Sequence, residues 1–287
     1  MGKVLVIVAV LTCCTGLGIE ACSGVALVQS GSVIVGGNED NDLTDPAMWA
    51  TAASGTAYGV VYFGLWFDGL GNRLAGWYEM QGVNDQGLYF DLFSVPCTPG
   101  VERSTAYDWR GAGYPAPEPI ECTMMTTCAS VDEALAFLHQ RNYATILPCV
   151  QVFLVDRSGT AAVYTGIGDV FRTGPGFVVT NFNLAAPSLG GYPDVRYSAA
   201  TRMIGFDPAP TLDRAAQILR ATRLQPKFPD DPGTRYTVIG DLVRGILDVY
   251  VGADFTSRAR LDLAPLWAEG RARMPLADLA FEVSNLH

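Results

Sequence analysis

Histidine is nearly missing from this chain: His139 and His287 are the two among 287 residues. An enzyme built from it needs a general base other than imidazole, because histidine is the side chain most often used for that work. His139 falls off the apolar stripe of its segment and reads as a solvated position, and His287 is the last residue. Basic residues are sparse as well, 19 against 29 acidic, a formal charge of −10. No basic cluster offsets that charge, so phosphate backbones are repelled and nucleic acid is not an expected partner. The longest apolar run, residues 4–11, is far short of the roughly 20 residues a membrane-spanning helix needs. Phosphate-binding loops, dinucleotide fingerprints and nucleophile elbows are absent. With two histidines and no close Cys-x-x-Cys spacing, neither a metal nor a cofactor is expected.

What is present begins at the amino terminus. Lys3, the run "VLVIVAVL" and small Ala21 form an export signal over residues 1–21. Cleavage there removes Lys3 and Glu20, one charge of each sign, and leaves residues 22–287 as one domain, secreted or periplasmic. Of seven cysteines, Cys13 and Cys14 leave with the signal. Cys97, Cys122, Cys128 and Cys149 remain as an even set for disulfides, with three pairings open. Cys22 stands apart, directly after the cleavage point.

The many Gly and Pro residues point to turns and a sheet-rich chain. "SGVALVQSGSVIVGG" reads as two strands about a Ser30-Gly31 turn, and segments 58–69 and 87–95 as further strands. Residues 99–121 read as a long loop. "SVDEALAFLHQRN" is a helix with a Ser130/Glu133 capping box and Val131, Ala134, Leu135 and Leu138 on one face. A meander follows from Val150 to Asn183. Two more helices are expected, one from Thr211 with Leu212, Ala215, Ala216 and Leu219 in register, one near Asp241 with Val243, Ile246, Leu247 and Tyr250. Antiparallel hairpins separated by helices, without strict βαβ alternation, make the fold class layered α+β.

Cleavage before Cys22 would put a thiol and an α-amino group on one residue. The amine, with a reference pKa of about 7.7–8.0, is close to ideal for taking the thiol proton at neutral pH. Catalysis then needs no histidine. A lipid-anchored binding protein acylated on Cys22 is the alternative reading, though Glu20 suits a lipobox poorly and a strand begins where a flexible tether is usual.

The segments "CSGVAL…VIVGGNED", "GVNDQGLYFDLFSVP", "SVDEALAFL" and "VVTNFN", in that order, resemble the choloylglycine hydrolase and penicillin V acylase family. These are N-terminal-nucleophile hydrolases of linear amide C–N bonds, and the likeness runs from Cys22 to about Tyr197. It implies a four-layer αββα sandwich and an acylase or amidohydrolase acting on a small acylated amine or amino acid. By this resemblance Cys22 is the nucleophile, Asp40 holds its amine and thiol in register, and the Asn181 amide helps form the oxyanion hole. Ser94 stands where the family often has an asparagine, so only its backbone N–H could donate to the oxyanion. Arg196 matches a late catalytic-site arginine, with Arg202 a near-equal candidate. Phe63, Trp66 and Phe67 could line an acyl-binding surface. One departure is Gly37, where many relatives carry arginine beside the nucleophile. It argues against bile-salt and penicillin V substrates and leaves a catalytically inactive member as a further alternative. Partners are expected to be a small-molecule amide, and a homo-oligomer is compatible with everything in the sequence.

Overall fold

Ser30 and Gly31 do turn the first hairpin: Gly31 has φ 77°, a left-handed conformation that suits glycine, and the strands pair from Ser23 opposite Asn38 to Gln29 opposite Ser32. This computed structural model describes residues 22–41, 45–67, 76–101, 120–226 and 233–284. The expected signal over residues 1–21, most of the expected loop, and His287 lie outside the described residues. In chain order the strands are β1 (Ser23–Gln29), β2 (Ser32–Asn41), β3 (Ala47–Thr51), β4 (Val60–Phe67), β5 (Gly76–Asn84) and β6 (Tyr89–Ser94). Helices α1 (Ile120–Thr127), α2 (Val131–Gln140) and α3 (Tyr143–Ile146) follow. Then come β7 (Val150–Val155), β8 (Ala161–Tyr164), β9 (Asp169–Phe171) and β10 (Gly176–Val179), and helices α4 (Val195–Phe206) and α5 (Leu212–Thr222). The chain continues with β11 (Gly233–Asp241), β12 (Ile246–Val251), β13 (Ser257–Asp262), α6 (Leu263–Glu269), β14 (Arg271–Pro275) and β15 (Glu282–Val283).

The strands form two antiparallel sheets, in the order β10-β1-β2-β11-β12-β13-β15 and β14-β3-β4-β5-β6-β7-β8-β9. The meander of β7 to β10 is therefore split: three strands stay in the second sheet while β10 crosses to pair with β1. Helices α4 and α5 cover the first sheet, and α1 and α2 cover the second. The result is the expected αββα sandwich. One apolar core fills the space between the sheets, including Phe63, Phe93, Phe153 and Val238. Another, with Val25, Leu27, Ile34, Ala216 and Leu219, lies between the first sheet and its helices. Among the described residues, no helix is long and apolar enough to cross a membrane.

Helix α2 starts as its sequence requires, with Ser130 Oγ accepting from Glu133 N at 3.3 Å. The reciprocal half of the capping box shifts by one residue, since Glu133 accepts from Ala129 N at 2.7 Å. Thr211 caps α5 in the same manner. The helix expected near Asp241 does not form; those residues are the β11–β12 hairpin. Asp241 Oδ1 accepts from Val243 N and Arg244 N, and Gly245 at φ 66° completes the turn. Leu247 to Tyr250 are buried on both faces, Asp248 included, so the apolar residues of a strand buried on both sides mimicked helical spacing. The expected loop ends at Ile120, where α1 begins. Of the three cysteine pairings, the structure has Cys97–Cys149; Cys122 and Cys128 remain thiols.

The "NDQG" turn of the second sheet is a structural hub. Asn84 donates from Nδ2 to Met125 O (2.9 Å) and Cys128 O (2.8 Å), holding the end of α1, while its Oδ1 accepts from Gln86 N and Leu88 N. Asn84→Ala should cost roughly 3 kcal/mol or more of stability, because it strands several buried backbone groups at once. Chemical denaturation checks this, and a loss below about 1 kcal/mol would show that water replaces those bonds.

Candidate active site

Strand β2 presents alternate side chains to opposite layers. Asn38 and Asp40 face the helix side, where Asn38 Nδ2 donates to Leu219 O of α5 at 2.9 Å and Thr237 donates to Asn38 Oδ1 at 2.8 Å. Gly37 faces the second sheet, where a Cβ would overlap the Asp91 carboxyl and stand 2.9 Å from Gln81 Nε2. No side chain larger than hydrogen fits at position 37 unless Asp91 moves. The place that the family resemblance assigns to an arginine is thus filled by Asp91 and Gln81 from the opposite sheet.

Cys22, immediately before β1, lies in the core between the sheets at 1% exposure. Its thiol points at the Asp40 carbonyl, 3.9 Å away. The Asp40 carboxyl is fully buried, with Oδ1 accepting from the Thr234 hydroxyl of β11. Thr234 Oγ1 in turn accepts from Leu224 N at 2.9 Å. Asp40 Oδ2 has no hydrogen-bond partner among the described residues. Burial raises the Asp40 pKa to about 7 against the opposing effects of Thr234 and Arg196.

Arg196, on the first turn of α4, joins these groups. Its Nη1 donates to Cys22 O at 3.1 Å and lies 3.8 Å from Asp40 Oδ2; its Nη2 donates to Asn181 Oδ1 at 3.1 Å. Asn181, just beyond β10, donates from Nδ2 to Ser94 O at 2.9 Å. Val95 N bonds across to Cys149 O of the β7 side, so antiparallel alternation turns the N–H and C=O of Ser94 to the other edge, toward Asn181. Cys22, Asp40, Asn181, Arg196 and Ser94 are therefore one connected group. Arg202, the other arginine considered, is exposed on α4.

The aromatic candidates separate. Phe63 is buried with its ring 6.2 Å from Tyr236, and Tyr236 lies within electrostatic reach of Cys22, Glu39 and Asp91. Trp66, 36% exposed, packs edge-on against Trp77, which meets Trp49 and the Arg273 guanidinium. The Phe67 side chain lies outside the described residues. His139 is solvated as expected, its Nε2 2.8 Å from Asp169 Oδ2.

Several residues of this neighbourhood escaped the sequence reading: Asp194, which bonds Arg196, together with Thr234, Glu39, Gln81, Asp91 and Tyr236. Asp91 left a signal, an acidic residue inside the apolar strand "YFDLF". Burial pushes its carboxyl well above the usual carboxylate range, against the lowering effect of the Tyr89 hydroxyl 3.0 Å away. Asp194 also left one, a capping residue two positions before the arginine.

No family model matches the sequence, and no curated protein matches it. Solved structures do. A variant of the conjugated bile acid hydrolase from Clostridium perfringens matches with TM-score 0.61 at 15% identity, over 93% of this chain and 100% of that one. The penicillin V acylase from Agrobacterium tumefaciens matches with TM-score 0.54 at 16% identity, over 90% and 87%. Another mutant of the Clostridium enzyme gives TM-score 0.51 at 13% identity, over 92% and 96%. At these identities the likeness shows a shared fold alone, a sandwich of two antiparallel sheets between helical layers.

The raised pKa of Asp40 has a thermodynamic consequence. The folded chain holds the Asp40 proton more tightly than the unfolded chain, so stability falls as pH rises between about 4 and 7. In the chain retaining residues 1–21, wild type should lose up to about 4 kcal/mol relative to Asp40→Asn across that window. Urea unfolding of both at pH 4.5 and 8 measures the difference, and a flat difference would show Asp40 to be ionised throughout.

Proposed function

We propose that this protein hydrolyses linear amide C–N bonds of small acylated amines or amino acids, with Cys22 as nucleophile once residues 1–21 are removed. The observation that carries this is a single guanidinium, Arg196, bonded to Cys22 O and Asn181 Oδ1 and facing Asp40 Oδ2. The four residues come from separate parts of the chain, and the resemblance had assigned all four to catalysis. The shared fold of two amide-cleaving enzymes supports the same reaction class.

Cleavage before Cys22 would create an α-amine on the residue that shares Arg196 with Asp40, whose buried Oδ2 has an open acceptor position. A protonated amine there would keep Asp40 ionised, offsetting the burial that otherwise raises its pKa. As a free base the amine takes the thiol proton, and the thiolate attacks the amide carbon. The tetrahedral oxyanion accepts from the Asn181 amide and the Ser94 backbone N–H, donors that cost about 10²–10³ in rate when one is lost from comparable sites. The ammonium then protonates the leaving amine, and water releases the acid from the thioester. Export fits a chain that carries the Cys97–Cys149 disulfide. Lipid attachment at Cys22 fits less well, because that residue is buried and β1 starts at the next position.

A chain beginning at Cys22 should turn over members of a panel of uncharged N-acyl amides, and Cys22→Ala should fold with unchanged circular dichroism and lose turnover by at least about 10³-fold. Turnover retained by Cys22→Ala would sink the assignment.

A further inference from the structure

Arg196 has two carboxylates within reach and is bonded to only one of them. Its Nη2 lies 2.8 Å from Asp194 Oδ2, a full hydrogen-bonded ion pair, whereas Nη1 lies 3.8 Å from Asp40 Oδ2, beyond hydrogen-bond distance. The same nitrogen that Asp194 holds also donates to Asn181 Oδ1. An amide whose oxygen is taken by a guanidinium must present its nitrogen to the other side, and Asn181 Nδ2 accordingly faces Ser94.

We infer that Asp194 is a positioning residue of the Cys22 site: by holding Arg196 away from Asp40 and against Asn181, it sets the Asn181 amide to offer N–H rather than C=O to the reacting carbonyl. This inference rests on the hydrolase reading for its catalytic consequence, but not for its structural one. Asp194 is suited to the task because its own place is doubly determined. It is 8% exposed, it caps α4 by accepting from Arg196 N at 2.7 Å and Tyr197 N at 3.4 Å through Oδ1, and it holds the guanidinium through Oδ2. One carboxylate thus starts the helix and aims the first arginine on it. Among the described residues, Arg196 from α4 is the charged group facing the Asp40 carboxyl, with the Thr234 hydroxyl from β11 on its other oxygen and the Cys22 thiol against the Asp40 backbone carbonyl. Without Asp194 the guanidinium is released toward Asp40, its nearest remaining carboxylate, and Asn181 loses its fixed acceptor contact.

Two substitutions separate aiming from capping. Serine caps helices as well as aspartate but is too short to reach the guanidinium; asparagine caps with its single oxygen and turns its NH2, a donor, toward Arg196. In the chain beginning at Cys22, Asp194→Ser should keep the melting temperature within a few degrees while kcat falls about 10- to 100-fold with KM little changed, because the lost interaction is with the transition state. Asp194→Asn, which also caps but offers the guanidinium no acceptor, should lose kcat to a similar extent with its melting temperature likewise kept. In the Cys22→Ala chain, carbon-13 NMR should show the Asp40 carboxyl titrating at lower pH in Asp194→Ser than with Asp194 intact, as the guanidinium closes on it. An Asp194→Ser protein with wild-type kcat and an unmoved Asp40 titration overturns the inference. Equal loss of melting temperature and kcat in both variants also overturns it, leaving Asp194 as a helix cap alone. Should no amide be hydrolysed even by wild type, the hydrolase reading fails by itself, and the Asp40 titration still decides what Asp194 does.

Discussion

A carboxylate buried beside the start of the first strand is the constraint around which the site is arranged. Asp40 has no exposure, and a charge there is costly unless it is matched by hydrogen bonds and an opposite charge. Thr234 supplies a hydroxyl to one oxygen, and Arg196 approaches the other without bonding it. The compensation is deliberately incomplete in chemical terms: burial still prevails, and the carboxyl is left poised near neutral pH. A cation arriving on Cys22 would complete it. Under the proposed activation, charge balance at Asp40 changes through electrostatics rather than through a change of fold.

The sandwich makes that arrangement possible by bringing remote segments to one edge. Cys22 and Arg196 are 174 positions apart, yet one hydrogen bond joins them. The connection runs through β10, which leaves the second sheet's meander to pair with β1 and so carries Asn181 past the end of the first hairpin. Helix α4 then begins directly above, with its cap residue turning the arginine down onto the site. On the other face of β2, Gly37 yields its space to Asp91 and Gln81, which join Glu39 of β2 in the polar environment on the second-sheet side.

Some of this was legible in the chain because the governing forces are local. The Ser30-Gly31 hairpin, the Ser130 and Thr211 caps and the apolar face of α2 each follow from residues within a few positions of one another. The misread segment near Asp241 shows the limit. Val243, Ile246, Leu247 and Tyr250 satisfy helical spacing, but pairing with β11 and burial on both faces select a strand, and neither partner is visible locally. The disulfide was open for the same reason, since Cys97 and Cys149 are adjacent only because β6 and β7 pair.

By itself, then, the sequence determined the ingredients: a thiol at Cys22 after a segment that reads as an export signal, too few histidines for a conventional base, the first hairpin, two capped helices and a layered α+β class. It also indicated Cys22, Asp40, Asn181 and Arg196, through resemblance rather than through any local force. Tertiary structure alone decided that the Arg196 guanidinium would join the other three, that Asp194 would hold it, and that Asp91 would occupy the space Gly37 leaves. The physical reason is that buried charges and hydrogen bonds are satisfied by whatever lies nearest in space, and which groups are nearest is settled only when the two sheets close on each other.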